Sequence, residues 1–187
     1  MMKTVGILLA GGLSRRFGSP KAFAELAGST FYERVYEALD AACDQVVIVS
    51  RKELLERFSQ HLDVIVDLPE VRGQGPLAGI YSAMMLRPAE RYIVLPCDMP
   101  FIGVDETLAL IKLAGEAKGI AAVMTPNEKI PLFSIWNGDY SAELKDAIDA
   151  GSLGVFGFLD NIQMEWIDAH SINKELEVFR NVNSRID

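Results

Sequence analysis

The segment Gly11-Gly12-Leu13-Ser14-Arg15-Arg16-Phe17-Gly18-Ser19-Pro20-Lys21 gathers three glycines and three cations within eleven residues. Glycines allow close backbone approach to a ligand, and free N–H groups in such a turn cradle phosphate oxygens. Arginine adds planar bidentate contact with phosphate, and lysine adds a mobile point charge. The dinucleotide pattern G-x-G-x-x-G and the pattern G-x-x-x-x-G-K-[ST] are both absent, which disfavours a nicotinamide or flavin fold and an ordinary P-loop. Two aspartates follow apolar runs: Asp67 after Val64-Ile65-Val66, and Asp98 in Pro96-Cys97-Asp98-Met99-Pro100. A carboxylate at a strand end suits Mg²⁺, which prefers hard oxygen ligands and bridges to nucleotide phosphates. Cys97 reads as a buried small side chain rather than a nucleophile, because His61 and His170, the partners a thiolate would need, fall in no recognisable active-site loop. Both histidines read as surface residues.

These residues need a scaffold that brings their loops together. Strand-length apolar runs alternate with helical patterns. Strands are expected at Thr4–Ala10, Gln45–Ser50, Val64–Val66 and Tyr92–Leu95. Helices are expected at Thr30–Ala42, Lys52–Ser59, Leu77–Leu86 and Asp105–Lys118. Thr30 with Glu33 forms a candidate capping box, and Asp105 a candidate N-cap. Asp67–Pro76 reads as a loop, and Met84-Met85-Leu86 as core. The alternation predicts a mostly parallel sheet with helices on both faces, an α/β three-layer Rossmann-like arrangement. Ligands then bind beyond the carboxyl ends of the strands, at the Gly11–Lys21, Asp67–Pro76 and Pro96–Phe101 loops. The last third predicts strands at Ala121–Thr125, Leu132–Trp136 (a candidate antiparallel strand) and Glu165–Ile167. It also predicts helices at Tyr140–Ala150 and Gly154–Leu159, and a terminal loop from Phe179 to Ser184. Gly73-Gln74-Gly75-Pro76-Leu77-Ala78-Gly79 reads either as close packing or as backbone approach to a nucleotide.

Composition narrows the function. The 187 residues are 50% hydrophobic and 24% charged, an ordinary globular balance. A chain of this length buries roughly 70% of its unfolded surface without staples. The formal charge of −8, from 18 Lys+Arg against 26 Asp+Glu, disfavours nucleic-acid and anionic-membrane partners. Two cysteines make no disulfide framework and no zinc set, and point to a reducing, cytoplasmic compartment. The apolar start is too short for a signal peptide and reads as a first strand. No apolar run reaches the ~20 residues of a membrane helix. No linker, repeat or low-complexity segment interrupts the chain, so it reads as a single domain over 1–187.

Taken together, these segments resemble the molybdenum cofactor (molybdopterin) guanylyltransferases, within the glycine-rich-loop nucleotidyltransferases. Leu9-Ala10-Gly11-Gly12 with Arg16-Phe17-Gly18 and Lys21 resembles the signature loop. Asp67 with Gly75-Pro76-Leu77-Ala78-Gly79 resembles the second motif, and Pro96–Phe101 the metal-site motif. Pro131–Trp136 and Asn181-Val182-Asn183 resemble the acceptor-side motifs. The resemblance spans nearly the whole chain. It implies a nucleotide-binding half over about 1–105 and an acceptor-binding half over about 106–187.

The implied reaction transfers GMP from GTP to the terminal phosphate of molybdenum-molybdopterin, releasing pyrophosphate with Mg²⁺ as cofactor. The Leu9, Ala10, Gly11 and Gly12 backbone would hold guanine and ribose. Arg16 and Lys21 would neutralise the triphosphate, Asp98 would bind nucleotide and metal, and Asp67 would contact the nucleotide. Asn181 and Asn183 would face the acceptor, and hand-over of the product would bring transient contact with molybdoenzymes or other cofactor-synthesis proteins. The chain departs from the family pattern at Pro20, where an Asp is common, and at Val49-Ser50-Arg51, where an Asn is often found. It departs again at Gly151-Ser152-Leu153-Gly154, which lacks the usual basic residues. Three other readings stand beside this one: CTP as donor to the same cofactor, another phosphorylated acceptor, and a non-catalytic nucleotide-binding partner protein.

Overall fold

The computed structural model describes residues 2–14 and 17–183. The chain begins with β1 (Thr4–Leu9), a short hairpin of β2 (Glu25–Leu26) and β3 (Ser29–Thr30), and α1 (Phe31–Asp40). It continues through β4 (Gln45–Ser50), β5 (Val64–Val66), α2 (Gly75–Leu86), β6 (Arg91–Pro96) and α3 (Val104–Ala114). It ends with β7 (Gly119–Met124), β8 (Lys129–Asn137), α4 (Ser141–Asp149), α5 (Val155–Leu159) and β9 (Met164–Asp168).

Seven strands form one sheet in the order β5-β4-β1-β6-β8-β7-β9. β1 pairs in parallel with β4 and β6, and β4 in parallel with β5. β8 runs antiparallel to both β6 and β7, as its sequence suggested, and β9 pairs in parallel with β7. The period of two along β1 feeds two cores. Val5 and Ile7 face one cluster with Ile80, Met84, Tyr92 and Trp136, while Leu8 faces another with Val35, Leu39, Ile93 and Phe133. Both clusters exclude water almost completely, which is the main source of stability in a sheet covered on both faces. Gly6 lets α1 settle onto the sheet, since a Cβ there would lie 3.1 Å from Leu39 Cβ.

Several element ends differ from the sequence expectation for local physical reasons. The Thr30–Glu33 capping box forms: Glu33 N donates to Thr30 Oγ1, and Thr30 N donates to Glu33 Oε2 at 2.7 Å. Asp105 is not the N-cap of α3. Extended Gly103 takes that place, and its N–H donates to Glu106 Oε2 at 2.8 Å. The same helix stops at Ala114 rather than Lys118, because the chain must turn back into β7 through Gly119. There φ is +88° and a Cβ would lie 2.2 Å from the Gln163 carbonyl oxygen. Lys52–Arg57 is a 3₁₀ turn, and α2 starts two residues early, at Gly75. Met84 is core, the last of a buried run that begins at Leu77, but Met85 and Leu86, the final residues of the helix, are exposed. The β2–β3 hairpin carried too few residues to register as strand.

Pro131 sits inside β8, where a central strand normally excludes proline. The pairing accommodates it with a bulge: Ala122 opposes Ser134, but Val123 opposes Ile130. Residues 131–133 are thereby left outside the β7 ladder.

Candidate active site

A cavity of about 970 Å³ opens at the carboxyl ends of β1, β4, β5 and β6, where an open α/β sheet places its ligands. Leu9, Ala10, Gly11 and Gly12 all line it. The backbone here is held from below: Ala10 N donates to Val49 O at 2.8 Å, and Ser50 Oγ to Ala10 O at 3.3 Å. A Cβ on Gly12 would meet nothing within 4 Å, so its backbone stands open to the cavity. The loop then tightens around Ser14, whose φ of 49° lies in the left-handed region. Ser14 O accepts from Phe17 N and Gly18 N, and Ser14 Oγ accepts from Lys21 N at 3.1 Å. Ser14 thus ties the start of the loop to the lysine at its end. Arg15 and the expected phosphate ligand Arg16 lie outside the described residues.

Lys21 and Asp98 meet in the cavity. Lys21 Nζ lies 3.4 Å from Asp98 Oδ2 and donates to Asn183 Oδ1 at 3.0 Å. Burial pushes the Asp98 carboxyl above the usual carboxylate range, and the Lys21 charge offsets only part of that. The Asp98 loop is anchored on both sides: Cys97 N donates to Leu9 O, and Val182 N donates to Asp98 O at 2.8 Å. The terminal segment therefore reaches the metal-type loop directly. Asn181 lines the cavity, whereas Asn183 reaches the site through Lys21.

Asp67 lines the same cavity from the end of β5, and its Oδ2 accepts from Gly73 N at 3.1 Å. Burial raises this carboxyl too, against the lowering effects of the Gly73 N–H and Arg72. The glycines of the following segment divide between the two sequence readings. Gly73 and Gly75 hold positive φ, 74° and 77°, and line the cavity. Gly79 serves packing: a Cβ there would lie 3.1 Å from Leu9 Cδ2 and 3.3 Å from Val49 Cγ1.

Cys97 is buried, and burial pushes its thiol up to about 12, so it is no nucleophile at neutral pH. His61 and His170 are exposed, as expected. Sequence reasoning assigned no role to Arg51, Lys129 or Phe156, all of which line the cavity. The signal available for Arg51 was a cation directly after a strand end. Lys129 arrives because β8 runs antiparallel to β6 and so starts at the cavity end of the sheet.

A glycine loop, a half-buried lysine–carboxylate pair and a second carboxylate at the strand ends of this sheet define a nucleotidyltransferase site. Residues 6–162 match the family model described as "MobA-like NTP transferase domain". A probable molybdenum cofactor guanylyltransferase of Bacillus licheniformis is 35% identical over 188 residues, covering 100% of this chain and 95% of the relative. One from a Geobacillus species is 37% identical, covering 98% and 95%. The crystal structure of molybdopterin-guanine dinucleotide biosynthesis protein A from Archaeoglobus fulgidus superposes with a TM-score of 0.81 at 26% identity, covering 97% and 93%. The chain belongs to the molybdenum cofactor guanylyltransferase family, within the MobA-like NTP transferases. Among the described residues, no helix is long and apolar enough to cross a membrane.

Proposed function

We propose that the chain transfers GMP from GTP to the terminal phosphate of molybdenum-molybdopterin, giving molybdopterin guanine dinucleotide and pyrophosphate. The observation that carries the reading is the half-buried Lys21–Asp98 pair beside the open Gly11–Gly12 backbone. An acceptor phosphate oxygen forms the new bond to the α-phosphorus of GTP as the bond to the bridging oxygen of pyrophosphate breaks. The attacking phosphate is already anionic, so the step asks for positioning and charge neutralisation rather than a general base. Neither the thiol nor an imidazole serves as a base here: Cys97 is protonated and both histidines lie on the surface.

Lys21 neutralises the triphosphate and then the leaving pyrophosphate, with Arg16 sharing that role. The Leu9–Gly12 backbone holds base and ribose, and Asp67 accepts from the nucleotide. Among the described residues no cluster of three or more His, Cys, Asp or Glu forms a closed ion cage. Asp98 alone fits Mg²⁺, which is ordinarily held by one or two carboxylates together with substrate phosphates. When bound there, Mg²⁺ would supply charge neutralisation at the phosphates. Asp98 must be ionised to hold it, and Lys21 engages only its Oδ2.

The chain acts as a single nucleotidyltransferase domain. Residues 1–105 bind the nucleotide, and 106–187 bind the acceptor through Asn181, Asn183 and the bulged β8 wall. Its place is the cytoplasm, where hand-over of the labile product brings transient contact with molybdoenzymes or other cofactor-synthesis proteins. The test is reconstitution of the full chain with GTP, Mg²⁺ and the pterin acceptor. Pyrophosphate and the guanine dinucleotide should appear in equal amounts, and CTP should substitute poorly. Efficient CTP use would change the donor, and turnover of neither would contradict the reading.

A further inference from the structure

Arg51 follows the last residue of β4 and lines the cavity. Its Nε is shut off from solvent and has no acceptor among the described residues. An arginine cannot remove this deficit by losing a proton, and a buried donor without a partner is costly. The neighbouring Ser50 side chain is already committed to Ala10 O. Arg51 also emerges beside the nucleotide loop: an ideal Cβ on Gly11 would lie 3.7 Å from both the Cα and the carbonyl carbon of Ser50. The peptide leading to Arg51 therefore backs directly onto the glycine pair assigned to the base and ribose.

We propose that Arg51 reads the donor base, its guanidinium donating two parallel N–H bonds to O6 and N7 of guanine. The inference deepens the guanylyl reading above and rests on it. Guanine presents two adjacent acceptors on that edge, which match a donor-only planar fork. Cytosine has no counterpart of the O6/N7 edge: its acceptors O2 and N3 lie on its smaller ring beside the exocyclic amino donor, out of register with a fork placed for O6 and N7. A site built to hydrogen-bond one partner rejects the partner that cannot answer. A ligand that brings the two acceptors draws the guanidinium onto its edge and ends the deficit at Nε.

The experiment titrates the full chain with GTP, 7-deaza-GTP and CTP, each with Mg²⁺, in the wild type, Arg51→Met and Arg51→Lys. 7-Deaza-GTP lacks the N7 acceptor and keeps everything else. The wild type should bind GTP about tenfold more tightly than 7-deaza-GTP, as for loss of half a bidentate contact. Arg51→Met should lose GTP affinity about tenfold or more and no longer distinguish the two. Arg51→Lys, which keeps the charge without the fork, should lose the discrimination as well. A wild type that prefers GTP over CTP but ignores N7 overturns the Arg51 assignment alone, and this comparison needs no variant to fold. Arg51→Met with its N7 discrimination intact overturns it too. So does an equal loss for all three nucleotides, which would place Arg51 on the phosphates. A wild type that prefers CTP, or binds none of the three, overturns the guanylyl reading and the base assignment together.

Discussion

Asp63 and Asp98 flank strands at opposite ends of one sheet, Asp63 just before β5 and away from the cavity, Asp98 just after β6 and lining it, and they are held in opposite ways. Asp63 receives Arg87 Nε and Nη2, each at 2.6 Å, together with Gln45 Nε2 at 2.9 Å. The Arg87 hydrogen bonds hold its carboxyl below the usual range. Asp98 is half-buried and, among the described residues, faces one cation at 3.4 Å, and burial raises its carboxyl. The first carboxylate is fully answered by the protein and joins β4, β5 and the end of α2. The second is kept ionisable but under-answered, which leaves it something to gain from a ligand. Asp67, raised by burial and met by one backbone N–H, falls on the Asp98 side of this divide. Perturbed carboxylates in a cavity mark function, and fully paired ones mark architecture.

The largest effect that tests the contrast is on turnover. Asp98→Asn should lower GMP transfer by about 10²–10³-fold, the scale seen when one preorganised charge-stabilising group is lost. Lys21→Met should lower it by about 10²-fold, with a marked rise in the apparent KM for GTP. Asp63→Asn should leave kcat within about twofold of the wild type. Its cost falls on stability instead, about 1 kcal/mol in urea unfolding, because the Arg87 pair is still partly exposed.

The pH dependence separates the two carboxylates by sign. A lowered folded-state pKa means that Asp63 contributes stability above the usual carboxylate pKa and loses it as pH falls. A raised folded-state pKa means the reverse for Asp98: any stability it contributes is present in acid and lost as pH rises through its folded pKa. Asp98→Asn should therefore melt no lower than the wild type at pH 7, and the difference between the two should shrink toward acid. Asp63→Asn should show its deficit at pH 7 and lose it toward acid. The smallest expected effect is at Asp67. Asp67→Asn keeps an acceptor for Gly73 N, so the KM for GTP should rise by severalfold with kcat little changed.

Much of the nucleotide side was legible from residues alone, because its signals are local. β4 and β5 begin and end where the apolar runs do; Asp67 follows β5 directly, Asp98 lies just past β6, and Lys21 closes the loop that leaves β1. What stayed hidden depends on pairing between distant segments. The bulge opposite Pro131 exists only because β7 and β8 pair, and it is the antiparallel direction of β8 beside β6 that puts Lys129 and Ile130 at the cavity wall. The unmet Nε of Arg51 is a property of packing, not of sequence. The reach of Val182 to Asp98 joins residues far apart in the chain. Asp105 misled because an acidic residue in a first turn stabilises a helix as well as an N-cap does, and only the extended backbone of Gly103 tells the two apart.

The most direct test of the central claim is calorimetry of GTP binding with Mg²⁺ and with the metal chelated, in the wild type and Asp98→Asn. The account predicts that Mg²⁺ tightens GTP binding by the wild type about tenfold or more. It predicts that Asp98→Asn binds metal-free GTP at least as well and gains little from the metal, since the carboxylate that would hold it is gone. An equal Mg²⁺ effect in both proteins would contradict the assignment of Asp98 as the metal-holding carboxylate.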